Sequence, residues 1–229
     1  MYKGKTIALI LPARNEELSL PFVLTELPQQ IDKVVVVDNG STDDTAFIAG
    51  KHGVHVVSAP IPGYGRACLA GIAFLKGTPP DIVAFADADG SNDISRLPDL
   101  IYALTDGLAD FVIEKRMPLE LKAMSRLQRF GNSLTTSLIH ALWKHRYYDL
   151  GPMRVIWWNA LEKLGMKDMD YGWTIEMQIK ALKQGLRVME YPLPYRRRIA
   201  GKSKVSRTWK GPLLAGCKML RVIANEALR

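Results

Sequence analysis

Apolar runs alternate with amphipathic stretches through the first half of the chain. Short apolar runs predict buried strands, and the stretches between them have the 3.6-residue spacing of helices. The predicted strands are residues 6–11, 33–37, 54–58 and 81–86, and the predicted helices are residues 19–27, 41–52 and 65–76. Because strand and helix alternate with short links, the pattern predicts an α/β fold, a parallel sheet covered by helices on both faces.

The second half of the chain has a less regular pattern. Helical spacing predicts helices over residues 127–143, 174–184 and 212–228, and a short apolar run predicts a strand over residues 188–191. Residues 196–207 form a basic loop in this interpretation, and Ser41 is expected to cap the helix that it opens. A chain of 229 residues is long enough to bury one ample α/β core.

Charge divides the chain into two parts of opposite sign. Residues 1–110 hold 8 Lys and Arg against 14 Asp and Glu, a net charge of −6. Residues 111–229 hold 23 against 9, a net charge of +14, and the whole chain carries +8. This asymmetry predicts cation binding in the first part and anion binding in the second. The anion could be nucleic acid, a phosphorylated substrate or an acidic membrane surface.

Several sequence features reduce the number of possible partners and cellular locations. The basic residues have little aromatic interleaving and no standard nucleic-acid-binding motif, so nucleic acid is the least favoured partner. The apolar runs are too short for a membrane-spanning helix, and the N-terminus turns polar too early for a secretory signal. Cys68 and Cys217 cannot form a disulfide framework. We therefore expect a cytoplasmic protein, with any membrane contact peripheral.

Polar residues follow three of the predicted strands at the points where the strands end. Residues 12–16 (PARNE) follow the first strand, residues 38–41 (DNGS) the second, and Asp87 and Asp89 the fourth. The carboxyl ends of parallel strands meet at one edge of a sheet, where ligands bind. Mg²⁺ and Mn²⁺ prefer carboxylate and phosphate oxygens. An isolated Asp-x-Asp is more often a solvated turn, but this strand-end position favours a metal site.

The other strand-end residues keep two interpretations. Asp38 could accept hydrogen bonds from a nucleobase or a ribose, or belong to a capping turn. Glu16 could hold ribose hydroxyls, or complement a helix dipole. Gly63 and Gly65 permit close approach of the backbone, and Arg66 stands near the start of a helix.

Together, "LPARNE", "VDNGSTDDT", "PGYGRACLAG" and "FADADGS" resemble the family 2 glycosyltransferases, which have the GT-A fold. The motifs stand in the family's order over residues 6–116. The resemblance implies that Asp87 and Asp89 hold Mg²⁺ or Mn²⁺ on the diphosphate of a sugar nucleotide, with Ser91 as a further candidate ligand. It also implies a nucleotide pocket formed by Pro12, Ala13, Arg14, Glu16, Asp38, Gly65, Arg66 and Ala88.

Motifs in the second half of the chain indicate a particular group within this family. "VIEKRM" and "RRRIAGKSKVS" are similar to the dolichyl-phosphate mannosyltransferase group and its bacterial polyprenyl-phosphate relatives. The similarity implies that Arg116, Arg198 and Lys204 bind the phosphate of the lipid acceptor. Arg forks match phosphate oxygens and Lys adds a point charge, although a solvated basic loop is the alternative.

The chain departs from this group at two places. Ser91 stands where an amide side chain is common, and Glu114 with Lys115 stands where two small residues usually precede the arginine. We expect one GT-A domain over residues 1–229. Residues 1–116 would bind the nucleotide sugar, residues 117–207 would form the acceptor side, and residues 208–229 would form an amphipathic helix.

The resulting expectation is an inverting transfer of a sugar from a nucleoside diphosphate to a polyprenyl phosphate. An anionic acceptor makes a general base dispensable. The alternative is a soluble acceptor, either phosphorylated or a hydroxyl, and a hydroxyl would need a base, for which Glu176 and Asp170 are the candidates. Glu176 could equally be a helix residue paired to a nearby cation. Trp173 could stack on the sugar or pack in the core. The helices at residues 127–143 and 212–228 could lie on an anionic membrane or pack in the core.

Overall fold

A single mixed sheet organises the part of the chain that the computed structural model describes. This part is residues 1–120, 123–201 and 210–228, with residues 210–215 described by their backbone only. The sheet order is β3-β2-β1-β4-β6-β5-β7. The strands are β1 (Ile7–Ala13), β2 (Lys33–Asp38), β3 (His55–Ser58), β4 (Ile82–Phe85), β5 (Phe111–Pro118), β6 (Arg154–Trp157) and β7 (Val188–Tyr195).

Helices cover both faces of this sheet. They are α1 (Leu20–Thr25), α2 (Thr45–Lys51), α3 (Tyr64–Leu75), α4 (Leu97–Thr105), α5 (Arg126–Trp143), α6 (Trp158–Leu164), α7 (Trp173–Lys183) and α8 (Lys210–Ala227). One apolar cluster joins α1, α2 and α4 to the first face. A second cluster joins α3, α5, α6, α7 and α8 to the other face. The predicted α/β class with helices on both faces is therefore confirmed.

Only β6 runs against its neighbours within the described sheet. It pairs antiparallel with both β4 and β5, while the other paired strands are parallel. The carboxyl ends of β1, β2, β4, β5 and β7 consequently meet at one edge. The sequence pattern did not predict β6, because "RVIW" begins with a charged residue that the fold buries completely.

The start of α2 corrects one prediction. Ser41 does not cap this helix, which begins at Thr45 with Asp44 in the capping position. Ser41 instead joins two loops: its backbone N–H donates to Asp38 Oδ1 at 3.0 Å, and its Oγ accepts from the N–H of Asn15 at 3.0 Å. The hydroxyl therefore ties the end of β1 to the end of β2.

The two amphipathic helices of the second half differ in what they bury. On α8, Val222 and Ile223 pack into the core, and Glu226 pairs with Lys183 of α7 at 3.1 Å. On α5, Thr135, Thr136 and Ile139 face inward, while large apolar residues lie on the exposed side. Within the described residues, no helix combines the length and the hydropathy needed to cross a bilayer.

Candidate active site

Two carboxylates leave the end of β4 together. Asp87 and Asp89 are partly exposed, and Ala88 between them is buried. Burial, followed by the charge of Asp89, raises the pKa of Asp87 to about 7. Among the described residues no group of three His, Cys, Asp or Glu side chains completes a metal site. The pair therefore fits a divalent cation that takes its remaining oxygen ligands from a bound phosphate.

Ser91 is almost fully enclosed next to this pair. Its backbone N–H donates to Asp89 Oδ1 at 2.9 Å, which fixes the turn at Gly90. Its own hydroxyl is buried and has no hydrogen-bond partner among the described residues. The role of Ser91 as a metal ligand stays a prediction.

The beginning of the basic loop is held against the carboxylate loop. The N–H of Arg196 donates to the Ser91 carbonyl at 2.9 Å, and that of Ile199 donates to the Asp89 carbonyl at 3.0 Å. These bonds place Arg198 Nη2 2.7 Å from Glu16 Oε1 and 3.6 Å from Asp89 Oδ2. Three predicted site residues from distant parts of the sequence thus meet. Lys204 lies outside the described residues.

Arg116 reaches the same edge from the end of β5. Its guanidinium binds Asp149 through two parallel bonds of 2.8 and 2.7 Å, and its backbone N–H donates to the same carboxylate. Burial alone would lower the pKa of Arg116, but the hydrogen bonds and charge of Asp149 raise it above its ordinary value. The fork is therefore a fixed cation whose planar group is already oriented.

A second arginine lies beneath the carboxylates. Arg154 on β6 is fully buried and stands opposite Phe85 of β4 in the sheet register. It donates to the carbonyl of Thr174 at 3.2 Å and to the carbonyl of Gly151. Burial lowers its pKa, and the negative charge of Asp87 opposes that effect. The acidic pair is therefore set against cations from β5, β6 and the basic loop.

The predicted nucleotide pocket lies where β1 and β2 end. Ala13 and Asp38 are register partners, Pro12 and Asp38 are partly exposed, and Arg14 is exposed. Asn39, which we did not predict, fixes the next loop: its side chain donates to the carbonyls of Ala59 and Ile61 and accepts from the N–H of Gly63. The sequence "DNGS" indicates only a turn, and the residues that Asn39 contacts lie 20 or more positions later in the chain, so these contacts could not be predicted from it.

Gly65 and Arg66 contact protein backbone at the start of α3. A Cβ at Gly65 would overlap the Asp168 carbonyl, so the glycine permits close packing of α3 against the residues before α7. The N–H of Arg66 donates to the Met169 carbonyl at 3.0 Å. Their predicted contact with nucleotide stays a prediction, and packing already explains the glycine.

The candidate bases lie on the α7 side. Glu176 is buried, accepts from the backbone N–H of Lys167 and of Asp168, and pairs with Lys180 Nζ at 2.7 Å. Both carboxylate oxygens of Glu176 bind this loop, and none of its contacts with the described residues supports a role as general base. Burial and the charge of Asp168 raise the pKa of Asp170, which is partly exposed. Trp173 is fully buried, with its ring centroid 6.0 Å from that of Phe85, so of its two interpretations the structure supports packing in the core.

Comparison with known proteins decides the family. The model of glycosyl transferase family 2 matches residues 8–164. The chain belongs to glycosyl transferase family 2. The predicted family and enzyme class are thus confirmed, and the strand-end acids of this glycosyltransferase stand where sheets of this type bind ligands.

Relatives of this glycosyltransferase span nearly its whole length. An uncharacterised glycosyltransferase of Mycobacterium tuberculosis is 40% identical over 221 residues, 96% of this chain and 99% of the relative. The dolichyl-phosphate hexose transferase of Haloferax volcanii is 30% identical over 232 residues, 100% of this chain and 98% of the relative.

A solved structure shares the fold of this glycosyltransferase. Glucosyl-3-phosphoglycerate synthase of Mycobacterium tuberculosis, crystallised with Mn²⁺, UDP and glucosyl-3-phosphoglycerate, superposes with a TM-score of 0.79 at 24% identity. The match covers 98% of this chain and 80% of the synthase. The GT-A fold predicted for this chain is confirmed.

One buried acid of this glycosyltransferase did not appear among the predicted site residues. Glu114 on β5 is fully buried, and burial raises its pKa to about 8, although the charge of Arg116 opposes the shift. Asp149 and Asp87 face it as further negative charges. The carboxyl group is therefore predominantly protonated at neutral pH in the folded state.

This burial predicts a pH-dependent difference between the wild type and Glu114→Gln. The folded pKa lies above the ordinary value of 4.5, so the folded state binds more protons than the unfolded state between pH 4.5 and about 8. Raising the pH through that window should destabilise the wild type relative to the variant by about 4 kcal/mol in total. Urea unfolding at pH 5, 6.5, 8 and 9 measures the difference. Parallel stability curves would show that Glu114 does not titrate in this window.

Proposed function

We propose that the protein transfers a sugar, with inversion, from a nucleoside diphosphate sugar to a polyprenyl phosphate at a membrane surface. The full-length relative named for dolichyl-phosphate hexose transfer supports a lipid phosphate as the acceptor. The observation that carries the proposal is the outer face of α5, which exposes large apolar side chains in a segment whose charged residues are all Lys or Arg. A soluble acceptor does not require such a face.

The donor side would be organised by a divalent metal. Asp87 and Asp89 would hold Mg²⁺ or Mn²⁺ together with the diphosphate oxygens, and the Mn²⁺ and UDP of the synthase structure support this assignment. When bound, the ion neutralises charge on the departing nucleoside diphosphate. Asp38 and Pro12 would line the nucleotide pocket at the ends of β2 and β1.

The acceptor side would be organised by the basic residues. Arg198 already lies beside Asp89, so a phosphate bound by Arg198 would be next to the donor's diphosphate. Arg116 supplies an oriented guanidinium, and Lys204 is the third predicted contact. A phosphate acceptor is anionic at neutral pH, so positioning rather than proton removal is the principal contribution of these residues.

The outer face of α5 is suited to the headgroup region of a bilayer. Its exposed apolar residues follow helical spacing: Leu127 is 56% exposed, Phe130 65%, Leu134 40% and Leu142 51%. Residues 121–148 contain five Lys and Arg and no Asp or Glu. An apolar stripe in a segment whose charged residues are all basic favours anionic lipid, because both the burial of apolar area and the electrostatic attraction contribute. On α8, Val222 and Ile223 are packed inside whereas Leu220 is 44% exposed, so membrane contact by this helix stays a prediction.

Partition of the product tests the acceptor class. The purified protein would be incubated with Mn²⁺, radiolabelled GDP-mannose or UDP-glucose, and either undecaprenyl phosphate or 3-phosphoglycerate. Label extracted into butanol, dependent on the lipid phosphate, is the expected result. Label that stays in water and depends on the soluble phosphate would instead establish the rival function, which the phosphoglycerate-bound structures of the synthase make the next candidate.

Substitution of exposed apolar residues on α5 tests whether this helix contacts a membrane. We expect the double variant Phe130→Asp, Leu134→Asp to bind vesicles containing phosphatidylglycerol at least about tenfold more weakly, since each buried apolar side chain contributes about 1.5–3 kcal/mol. Cosedimentation measures the binding. Leu108→Asp is the matched control, because Leu108 is 62% exposed and lies in the turn after α4. Equal binding by the double variant and the control would remove α5 from the membrane surface.

A further inference from the structure

Glu114 stands in the core of the acceptor edge but contacts the carboxylate loop. Asn92 Nδ2 donates to Glu114 Oε2 at 2.6 Å, and both residues are buried. Asn92 directly follows Ser91. This hydrogen bond therefore ties Glu114 to the loop that carries Asp87 and Asp89.

Asn92 closes the loop that carries the candidate metal ligands. Its Oδ1 accepts from the N–H of Asp87 at 3.3 Å, so one side chain joins the end of the loop to its beginning. Inside this closure, the N–H of Ser91 donates to Asp89 Oδ1. The position of the Asn92 amide consequently sets where the two carboxylates stand relative to each other.

Glu114 is held rigidly enough to fix that amide. Its N–H donates to the Met153 carbonyl at 2.8 Å, and its Oε2 also accepts from the N–H of Met153 at 3.4 Å. Its Oε1 has no hydrogen-bond partner among the described residues. An acid buried in this way is costly unless its oxygens are used, and an apolar residue would fill the space at lower cost.

We propose that Glu114 is a positioning residue for the metal site, acting through Asn92 on the loop that carries Asp87 and Asp89. The proposal rests on the proposed function, since it assumes that this loop binds a divalent metal with a nucleotide. Outer partners of this kind change metal affinity 10- to 100-fold when they are removed. Glu114 itself touches neither the metal nor the substrate.

Four variants separate positioning from packing. Glu114→Gln keeps an acceptor oxygen for Asn92 and for Met153. Glu114→Ala removes that oxygen. Val112→Ala removes buried volume from the same strand, two residues away, and leaves both partners of the Asn92–Glu114 hydrogen bond in place. Asn92→Ala leaves β5 unchanged and removes the other side of the bond.

The measurement is the affinity for Mn²⁺, in the presence of UDP and separately of GDP. The electron paramagnetic resonance signal of free Mn²⁺ reports how much of the ion is unbound. We expect Glu114→Ala and Asn92→Ala each to raise the Kd for Mn²⁺ by about 10- to 100-fold. The double variant should lose no more affinity than Asn92→Ala alone, because Glu114 acts on the loop only through Asn92. Glu114→Gln and Val112→Ala should stay within about threefold of the wild type.

Each outcome decides the matter. Wild-type Mn²⁺ affinity in Glu114→Ala or in Asn92→Ala, or a loss in Glu114→Gln as large as in Glu114→Ala, would overturn the positioning role. If Glu114→Ala does not fold, Asn92→Ala and Glu114→Gln still test it. If the wild-type protein fails to bind Mn²⁺ in the presence of UDP and also in the presence of GDP, the metal-dependent function is refuted, and this proposal with it.

Discussion

Asp89→Asn is expected to lower the rate of sugar transfer by about 10³-fold while leaving the protein folded. The substitution keeps an oxygen that can accept from the N–H of Ser91, so the loop retains its turn. It removes one of two negative charges that would bind the metal on the donor diphosphate. Loss of metal stabilisation of the leaving group is worth about 4 kcal/mol, which corresponds to that factor in rate.

Two measurements make this test specific. Transfer of radiolabel at saturating Mn²⁺ gives the rate, and thermal unfolding should show equal or higher stability, since the repulsion between Asp87 and Asp89 is relieved. Asp99→Asn is the matched control, because Asp99 is an acid of the same half that pairs with Arg96 on the surface of α4. Full activity in Asp89→Asn would exclude the residue from metal binding.

The apolar run before Asp87 and Asp89 was enough to predict that these carboxylates lie at the end of a strand. Asp87 and Asp89 follow a run of buried residues, so their place at a strand end can be read from neighbouring residues alone. The parallel half of the sheet follows from the same alternation. The first-half strands were accordingly predicted to within about two residues of their observed bounds.

Contacts between distant segments could not be read in this way. Asp149 binds Arg116 from 33 positions away, and nothing in "DLGPMR" identifies its partner. The patterns of α5 and α8 are both amphipathic, and only the fold reveals that α8 packs Val222 and Ile223 inside while α5 exposes an apolar stripe. Trp173 illustrates the same limit: a large aromatic near the site is equally compatible with stacking and with burial until its neighbours are known.

Arg198→Ala should reduce kcat/KM for the polyprenyl phosphate about 100-fold, with a much smaller effect on the KM for the donor. A hydrogen bond to a charged group contributes about 1.5–3 kcal/mol, and the upper part of that range corresponds to the expected factor. Arg198→Lys should recover part of the loss, because it restores the charge without the planar fork.

Arg197→Ala is the matched control for this prediction. Arg197 carries the same charge one position earlier and is exposed, whereas Arg198 is held between Glu16 and Asp89. If the acceptor phosphate binds Arg198 specifically, the two variants will differ by well over tenfold. If the loop acts only through its net charge, they will weaken acceptor binding equally. A third result, tighter Mn²⁺ and nucleotide binding in Arg198→Ala with an unchanged acceptor KM, would mean that this arginine only neutralises the charge of the carboxylates. That result would contradict its assignment to the acceptor.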